Sequence, residues 1–509
     1  MWAPAASPEP EPSTDHTAYD AAVVDVGSNS VRLVMYRIEG RALWTVFNEK
    51  VLAGLGRDMA RTKKLSPTGV EQAIASLRRF RTLLDAAKVE TVHIAATAAV
   101  REAKDGPAFV AKVKAETGLK LKVLTGAEEA RLSALGVTAG LPDAEGVVGD
   151  LGGSSLELVR LQQGGEPGEG VTLPLGPLAL GAPAPFDPGK TRERIDKILG
   201  DVGQFKTSTF HAVGGAWRNL ALLHMKISGY PLNIVHEYEI SGRDAAEAAR
   251  FISRQSKGSL ERIDGASRKR AETIPYAAAV LEALIRKLDI DRIVISAYGL
   301  REGLLLDAME REVRRRDPLV EGAAALGGRK EAADALGQAL ETWLSPAMVT
   351  LQPVFGNRDP TLIAAACRLA DLGARLHPDH RADLVFEQVL RAPIPGMNHA
   401  ERAFLALTLF ARFTAANTPP EPEILSRLLT SQAQRRARAL GAAIRLGCDL
   451  SGKNGSLLEH TALDFDDEWV TLSPKSREAE TLLGEQARKR ADTLAGILGR
   501  KLMVEGQAG

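Results

Sequence analysis

The chain has 509 residues, a formal net charge of +1, 45% apolar residues, 25% charged residues and two cysteines. At one domain per ~150 residues, this length predicts three or four globular domains. The near-neutral charge argues against a general nucleic-acid binder, and the two cysteines, Cys367 and Cys448, exclude a disulfide framework and fit a reducing compartment.

The first residues are rich in proline and acid, and they lack the basic and apolar regions of a signal peptide. We therefore expect a disordered tail over residues 1–18. No apolar run reaches the ~18 residues that span a bilayer. These observations predict a cytoplasmic protein without a membrane partner.

The first ordered segment, residues 23–34, reads VVDVGSNSVRLV. An apolar β-branched run is followed by Asp-x-Gly with small polar residues and then by a second apolar run, which predicts strand, tight turn and strand. Glycine permits such a turn, and its successive backbone amides form a concavity that suits phosphate.

Strands and helices then alternate along the chain. We predict a strand over 42–51, a helix from Ser66-Pro67 to about residue 87, and a buried strand over 91–96. Arg101 follows that strand at its carboxyl end, where ligands gather in α/β sheets. A helix over 109–117 and a strand over 119–124 come next.

The stretch Thr125-Gly-Ala-Glu128-Glu129 predicts the start of another helix. Thr125 and Glu128 have the spacing of a capping box, which gives Glu128 a structural duty. Glu129 has no such duty and follows a loop that we expect to face a cleft. The pattern alone fits an exposed surface glutamate equally well.

Residues 147–159, VVGDLGGSSLELV, repeat the first pattern one domain length later. Asp150 corresponds to Asp25, and the two copies predict a duplicated α/β unit that holds phosphate between its halves. Glu157 stands where the first copy has Arg32. One side would then offer a guanidinium fork for phosphate and the other a carboxylate for Mg²⁺ or water, unless both are ordinary exposed charges.

The later segments predict a strand near 171–175, a helix near 191–199, a glycine turn at Gly214-Gly215 suited to phosphate, a helix over 273–288 and a strand over 292–296. From about 319 to 446, Ala and Leu at helical spacing predict a helical domain. Its histidines (His377, His380 and His399, with Asp379) fit either a remnant metal site or a structural role, and we favour the structural one. A hairpin over 457–472 and an amphipathic helix over 476–502 end the chain.

These motifs resemble those of the exopolyphosphatase/guanosine pentaphosphate phosphohydrolase (Ppx/GppA) family. The similar stretches are VDVGSNSVRLV, ATAAVREA, TGAEEARL, VVGDLGGSSLELV, AVGGAWRNLALLH and AYGLREGLL. The resemblance implies an α/β fold with duplicated actin-like (ribonuclease H-like) domains of the ATPase superfamily over 19–136 and 137–316. An all-α HD-like domain over 317–446 and a small α+β segment over 447–509 would follow.

The resemblance also implies an exopolyphosphatase that removes terminal phosphate with Mg²⁺, with a monovalent cation as a further candidate cofactor. Glu129 would be the general base, helped by Asp150 and Glu157, and these two with Asp25 would hold the metal. The phosphate-binding residues that it implies are Gly27, Ser28, Asn29, Ser30, Arg32, Arg101, Gly152, Gly153, Ser154 and Ser155.

Two alternatives stay open. Guanosine pentaphosphate also presents a terminal phosphate, so the cleavage motifs fit it as well as polyphosphate. A non-catalytic (p)ppGpp-responsive module of the stringent response is the second alternative, which the presence of Glu129 disfavours. Ser154 replaces the third glycine usual in the second turn, and residues 175–180 lack the family's usual basic residue. We expect a homodimer.

Overall fold

The computed structural model describes residues 18–162, 164–182, 184–200, 202–255, 257–262, 271–328 and 331–505. The predicted tail over 1–18 therefore lies outside the described residues, except for its last residue. No helix in the described ranges is both long enough and apolar enough to cross a bilayer.

The first α/β unit is a five-stranded sheet with helices packed on it. Its strands are β1 (Tyr19–Val26), β2 (Val31–Glu39), β3 (Ala42–Val51), β4 (Thr91–Ala96) and β5 (Lys122–Val123), in the order β3-β2-β1-β4-β5. Its helices are α1 (Met59–Thr62), α2 (Pro67–Ala87), α3 (Ala98–Glu102) and α4 (Gly106–Thr117). Strands β1 to β3 are antiparallel, whereas β4 runs parallel to β1 and β5. Leu33, Leu77 and Phe80 are fully buried in its core.

The second α/β unit repeats this layout. Its strands are β6 (Gly146–Leu151), β7 (Leu156–Leu161), β8 (Pro167–Leu173), β9 (Thr209–Val213), β10 (Tyr238–Ser241) and β11 (Arg292–Ile295), in the order β10-β11-β9-β6-β7-β8. Strands β6 to β8 are antiparallel and β9 is parallel to β6, as in the first sheet. The duplicated unit that the repeat predicts is therefore present, with β6 in the place of β1.

In the residues that the structure describes, eight helices accompany the second sheet. They are α5 (Gly126–Gly140), α6 (Pro177–Leu180), α7 (Pro188–Leu199), α8 (Gly215–Ile227), α9 (Gly242–Ser253), α10 (Lys257–Arg262), α11 (Ile274–Leu288) and α12 (Leu300–Ala308). Helix α5 crosses the boundary predicted between residues 136 and 137, because one continuous helix links the two sheets. The domain limits themselves stay predictions.

The rest of the chain is mostly helical. Its helices are α13 (Arg311–Arg315), α14 (Pro318–Gly327), α15 (Glu331–Met348), α16 (Asp359–Arg368), α17 (Arg381–Arg391), α18 (His399–Phe413), α19 (Pro422–Leu428), α20 (Ser431–Ser451) and α21 (Glu485–Leu498). Strands β12 (Thr461–Phe465), β13 (Trp469–Pro474) and β14 (Lys501–Val504) form a small sheet. The predicted terminal hairpin is confirmed as β12 and β13.

Two predicted elements are wrong in extent. The helix expected over 476–502 covers only 485–498, because Gly499 adopts a left-handed conformation (φ 71°) that ends it. The chain then forms β14, which pairs parallel to β13 and packs Leu502 against the core. The strand expected over 119–124 shrinks to the two residues of β5.

The histidines of the helical region have structural surroundings. His399 is buried, its Nδ1 lies 2.9 Å from Tyr230 Oη, and its Nε2 lies 3.1 Å from the carbonyl oxygen of His236. His377 is exposed beside Asp379. Within the described ranges, no three His, Cys, Asp or Glu side chains form a group that could hold a metal. The HD-like assignment stays a prediction.

Candidate active site between two glycine turns

The two repeated turns have the same backbone geometry. In the first, the Gly27 amide donates to the Ser30 carbonyl at 3.0 Å, and in the second the Gly152 amide donates to the Ser155 carbonyl at 2.9 Å. Each turn joins two antiparallel strands, and the charged residues nearest the turn are register partners, Asp25 with Arg32 and Asp150 with Glu157. The unlike charges at Arg32 and Glu157 therefore occupy equivalent positions on opposite halves.

Each turn is also held from outside by a second backbone segment. The amides of Gly54 and Gly56 donate to the carbonyls of Asn29 and Ser28, at 3.1 and 2.7 Å. The equivalent contacts in the second half come from the amides of Gly176 and Leu178, which donate to Ser154 and Gly153 at 3.2 and 2.9 Å. Because their carbonyls are used in this way, both turns are rigid.

The two turns face each other closely. A Cβ added to Gly153 would lie 3.2 Å from Ser28 Cβ and 3.4 Å from Asn29 Cβ. A side chain at Gly153 would require these atoms to move by a few tenths of an ångström, so the glycine permits the close approach of the two turns.

Between the turns lies a cavity of about 180 Å³. Most of the predicted site residues line it, namely Asp25, Gly27, Ser28, Asn29, Ser30, Arg32, Glu129, Asp150, Gly152, Gly153, Ser155 and Glu157. Arg101 and Ser154 are not among the lining residues. The structure thus brings together predicted residues from both α/β units, while their individual roles stay predictions.

Glu129 lies in the first turn of α5 and its side chain is buried. Arg101 Nη1 donates to Glu129 Oε2 at 2.8 Å and to the Leu124 carbonyl oxygen at 3.0 Å. Burial raises the pKa of Glu129 to about 7, although Arg101 opposes the shift. A carboxylate with a pKa near neutrality can take a proton from water and later release it.

Its neighbour Glu128 has the opposite surroundings. The predicted capping box is confirmed: the Glu128 amide donates to Thr125 Oγ1 at 3.1 Å, and the Thr125 amide donates to Glu128 Oε2 at 2.9 Å. Lys122 Nζ lies 2.8 Å from Glu128 Oε1. The ion pair with Lys122 and the Thr125 amide lower the pKa of Glu128 to about 2. This side chain stays ionised and holds the helix start.

Three further carboxylates lie in the cleft. Burial raises the pKa values of Asp25 and Asp150, and burial together with the charges of Glu129 and Asp150 raises that of Glu157 well above the usual range. Ser133 Oγ donates a hydrogen bond to Asp150 Oδ2. Glu157 Oε1 is buried and has no hydrogen-bond partner among the described residues. A cation would satisfy this oxygen and relieve the repulsion among the carboxylates.

This donor set fits Mg²⁺ better than a metal that needs an all-protein cage. Mg²⁺ takes one or two carboxylates and completes its shell with phosphate oxygens and waters. The described residues offer no group of three close ligands, but Asp150 and Glu157 are register partners on adjacent strands of the same cleft. The fit therefore depends on a phosphate ligand being present as well.

Cationic groups line the first-half side of the cleft. Arg32 Nε donates to Asn48 Oδ1 at 2.8 Å, which fixes the direction of its guanidinium. Burial and the nearby charge of Arg301 lower the pKa of Arg32. Arg301 Nη1 lies 3.8 Å from Asp25 Oδ2, and the Arg301 side chain is 13% exposed. Asp25 and Glu302 thus offset the charge of Arg301, while Arg32 lines the cleft where it can meet an anion.

Arg101 follows the carboxyl end of β4, as the sequence predicts. The residue lies in the last turn of the short helix α3, and its guanidinium contacts Glu129. The short helix is held in place because its own residues Ala98, Ala99 and Val100 are buried. Arg101 therefore adjusts the charge of Glu129, and direct contact with phosphate stays a prediction.

Among the described residues that line the cleft, sequence reasoning gave no role to five polar ones, namely Lys50, Thr97, Arg218, Thr273 and Arg301. For two of these residues the sequence carries a signal. Arg301 lies in the stretch AYGLREGLL, and Arg218 lies three residues after the second glycine of the Gly214-Gly215 turn. Lys50 is the register partner of Arg32 on β3, which only the strand pairing reveals.

Comparison with known proteins matches both parts of the chain. The Ppx/GppA phosphatase family model matches residues 34–312, and the exopolyphosphatase C-terminal model matches residues 352–504. The chain is similar to exopolyphosphatase 1 of Mycobacterium leprae, at 28% identity over 306 residues that cover 57% of this chain and 89% of the relative. It is similar to exopolyphosphatase 2 of Mycobacterium tuberculosis, at 27% identity over 311 residues, covering 56% and 97%.

A solved structure of a family member is also similar to this chain. The crystal structure of the Aquifex aeolicus member of the Ppx/GppA family covers 57% of this chain and 96% of its own chain, at 28% identity and a TM-score of 0.50. The two α/β halves accordingly fit the actin-like fold that the sequence predicts.

Proposed function

Because the chain belongs to the Ppx/GppA phosphatase family and is a phosphatase hydrolase, we propose that it is an exopolyphosphatase that releases terminal orthophosphate from inorganic polyphosphate. The cleft between the glycine turns would bind the terminal phosphate. The exopolyphosphatase relatives support this substrate, and so does the charge of the surface that leads away from the cleft.

That surface is a basic groove, and it is the observation that carries the proposal. The groove shares Arg32, Lys50 and Arg218 with the cleft, so these three side chains lie where the cleft opens into the groove. Farther along, Arg391 is ion-paired and Arg402 is buried against backbone carbonyls. In the described part of the chain, the lining of the groove includes no aspartate or glutamate. The three shared cations can therefore neutralise the phosphate that follows the terminal one in a chain.

The proposed reaction is an in-line attack of water on the terminal phosphorus. Glu129 takes one proton of the water as its oxygen bonds to phosphorus, and the bond from phosphorus to the bridging oxygen breaks. The shortened chain leaves with that oxygen. Arg32 and the turn amides bind the oxygens of the phosphoryl group and orient it toward the water.

Mg²⁺ is part of the proposal. Asp150 and Glu157 would hold it, directly or through water, with Asp25 as a further partner. Bound there, the ion would supply positive charge that neutralises the phosphoryl oxygens. The buried Glu157 Oε1, for which the described part of the chain offers no hydrogen-bond partner, supports this assignment.

Guanosine pentaphosphate is the second candidate substrate. The basic groove also has Trp44 and Tyr298 in its walls, and aromatic rings of this kind stack with nucleobases. Tyr298 already stacks on His236, with ring centroids 4.8 Å apart, and this contact occupies one face of its ring. This arrangement favours the phosphate chain over the nucleoside.

The test is orthophosphate release from polyphosphate and from guanosine pentaphosphate at equal concentrations of enzyme, substrate and Mg²⁺. We expect faster release from polyphosphate and none from either substrate after chelation of the metal. Faster release from pentaphosphate would make it the substrate, and no release from either would refute the proposed activity.

A further inference from the structure

A second basic pocket lies in the helical part of the molecule, and it shares no lining residue with the cleft or the basic groove. Its cavity is about 300 Å³ and is bounded by α20, α21 and the segment after α18. Three arginines line it: Arg438 and Arg445, seven residues apart on α20, and Arg490 on α21. We call it the three-arginine pocket.

The pocket holds excess positive charge. Its described lining contains no aspartate or glutamate, and it includes the hydrogen-bonding side chains of Asn417 and Thr493. Asp449 is the nearby acid, and it is held by Arg490 Nε at 2.7 Å. One carboxylate beside three guanidinium groups leaves most of the charge unbalanced.

Two of the arginines are fixed in place by protein contacts. Arg438 donates through Nη1 to the Ala416 carbonyl oxygen at 3.1 Å and through Nη2 to the Asn417 carbonyl oxygen at 2.5 Å. Arg490 is held by Asp449, and its side chain is 18% exposed. These contacts orient the two groups before any ligand arrives.

Arg445 is different, because its guanidinium makes no hydrogen bond within the described residues. Burial lowers the pKa of Arg445, and the charge of Arg490 lowers it further. A half-buried arginine repelled by its neighbours is stabilised by an anion that bridges them. Orthophosphate has four oxygens and can contact three guanidinium groups at once, whereas a carboxylate has only two oxygens, so phosphate fits this set better.

We propose that the three-arginine pocket binds a phosphate group at a site separate from the cleft. The proposal does not depend on polyphosphate being the substrate. Its occupant is either free orthophosphate or one phosphate of a polyphosphate chain, since both present the same tetrahedral oxyanion.

The test is equilibrium dialysis of the full chain, without Mg²⁺, against labelled orthophosphate and labelled tripolyphosphate. We expect the wild type to bind one more phosphate ligand per chain than Arg445→Gln. In that variant the pocket's dissociation constant should rise roughly ten- to a hundredfold, because a charge-assisted contact is lost. Thr493→Asp, which places a negative charge in the pocket, should have the same effect without changing an arginine.

The matched control is Arg435→Gln, which removes one exposed positive charge from the same helix outside the pocket. It should bind like the wild type, and all variants should keep the wild-type initial rate on tripolyphosphate with Mg²⁺. If Arg445→Gln loses a binding site for labelled orthophosphate, the occupant is the free ion. If it loses a site only for labelled tripolyphosphate, the occupant is a polyphosphate chain. Equal binding by wild type, Arg445→Gln and Thr493→Asp would overturn the proposal.

Discussion

Two adjacent glutamates at the start of α5 have opposite charge environments. Glu128 is held by Lys122 and the Thr125 amide, and its pKa falls to about 2. Glu129 points into the buried cleft, and its pKa rises to about 7. One residue along a helix changes direction by about 100°. That turn places one carboxylate in the cap and the other where a water can be deprotonated.

The pH dependence of kcat/KM follows from Glu129. A base must be deprotonated to act, so we expect activity to be lost as pH falls through about 7. The ion pair with Arg101 lowers the pKa of Glu129, and Arg101→Gln should therefore move this acidic limb to higher pH. Arg101→Lys keeps the charge and should move it less. Superimposable pH profiles for wild type and Arg101→Gln would contradict this role.

Replacement of Arg32 tests whether its guanidinium binds the phosphate of the substrate. Replacing it with Ala removes a charge-assisted fork, and we expect KM to rise roughly ten- to a hundredfold. Asn48→Ala only releases the Arg32 Nε that it holds, so a smaller rise is expected. The melting temperature should change little in either variant. A collapsed melting temperature with unchanged KM would identify Arg32 as structural.

At the scale of elements, the close crossing of α5 and α12 determines the geometry of the cleft. A Cβ on Gly136 would lie 1.9 Å from the Gly299 carbonyl oxygen, and a Cβ on Gly303 would lie 1.8 Å from that of Leu132. The two helices therefore touch through their backbones. This contact fixes the distance between Glu129 on α5 and Arg301 on α12.

We expect Gly136→Ala to destabilise the protein by about 1–3 kcal/mol or more, because the added methyl group meets backbone that cannot move aside. Activity should fall with it. Gly496→Ala is the control: it lies in α21 with nothing within 4 Å of an added Cβ, and it should stabilise by roughly 0.5–1 kcal/mol. Thermal unfolding of both variants checks this, and an unaltered midpoint for Gly136→Ala would refute the tight crossing.

Local patterns predicted the elements well, and tertiary contacts account for the failures. The helix over 67–87 and the strand over 42–51 match α2 and β3, because Pro67 and the apolar spacing are local signals. The partner of Arg101 and the place of Arg301 depend on contacts between distant segments. No spacing within one segment encodes these contacts.

At the scale of the whole molecule, the helical part contacts the second α/β half through polar and apolar groups. Tyr230 Oη meets His399 Nδ1 at 2.9 Å, and Arg427 Nη1 donates to the Gly229 carbonyl oxygen at 2.5 Å. Leu232 belongs to the helical core. The predicted cleft residues all precede this part, as does the family match over residues 34–312.

We expect a chain ending at Arg316 to release phosphate from short polyphosphates and to lose activity mainly on long ones. It should also lose dimerisation, if the helical part supplies the dimer contact. Phosphate release against chain length, together with gel filtration, checks both points. Circular dichroism must show that the shortened chain is folded, and a folded but inactive chain would place part of the chemistry in the helical part.

Glu129→Gln compared with Glu128→Gln is the most direct test of the central claim, that Glu129 activates the attacking water. Glutamine keeps the size of Glu129 and its contact with Arg101 but cannot take a proton. We expect kcat to fall by ~10²–10⁴ with substrate affinity nearly unchanged. Glu128→Gln keeps the capping box and should retain near-normal kcat. Near-normal turnover by Glu129→Gln would contradict the claim and leave Glu157 as the next candidate base.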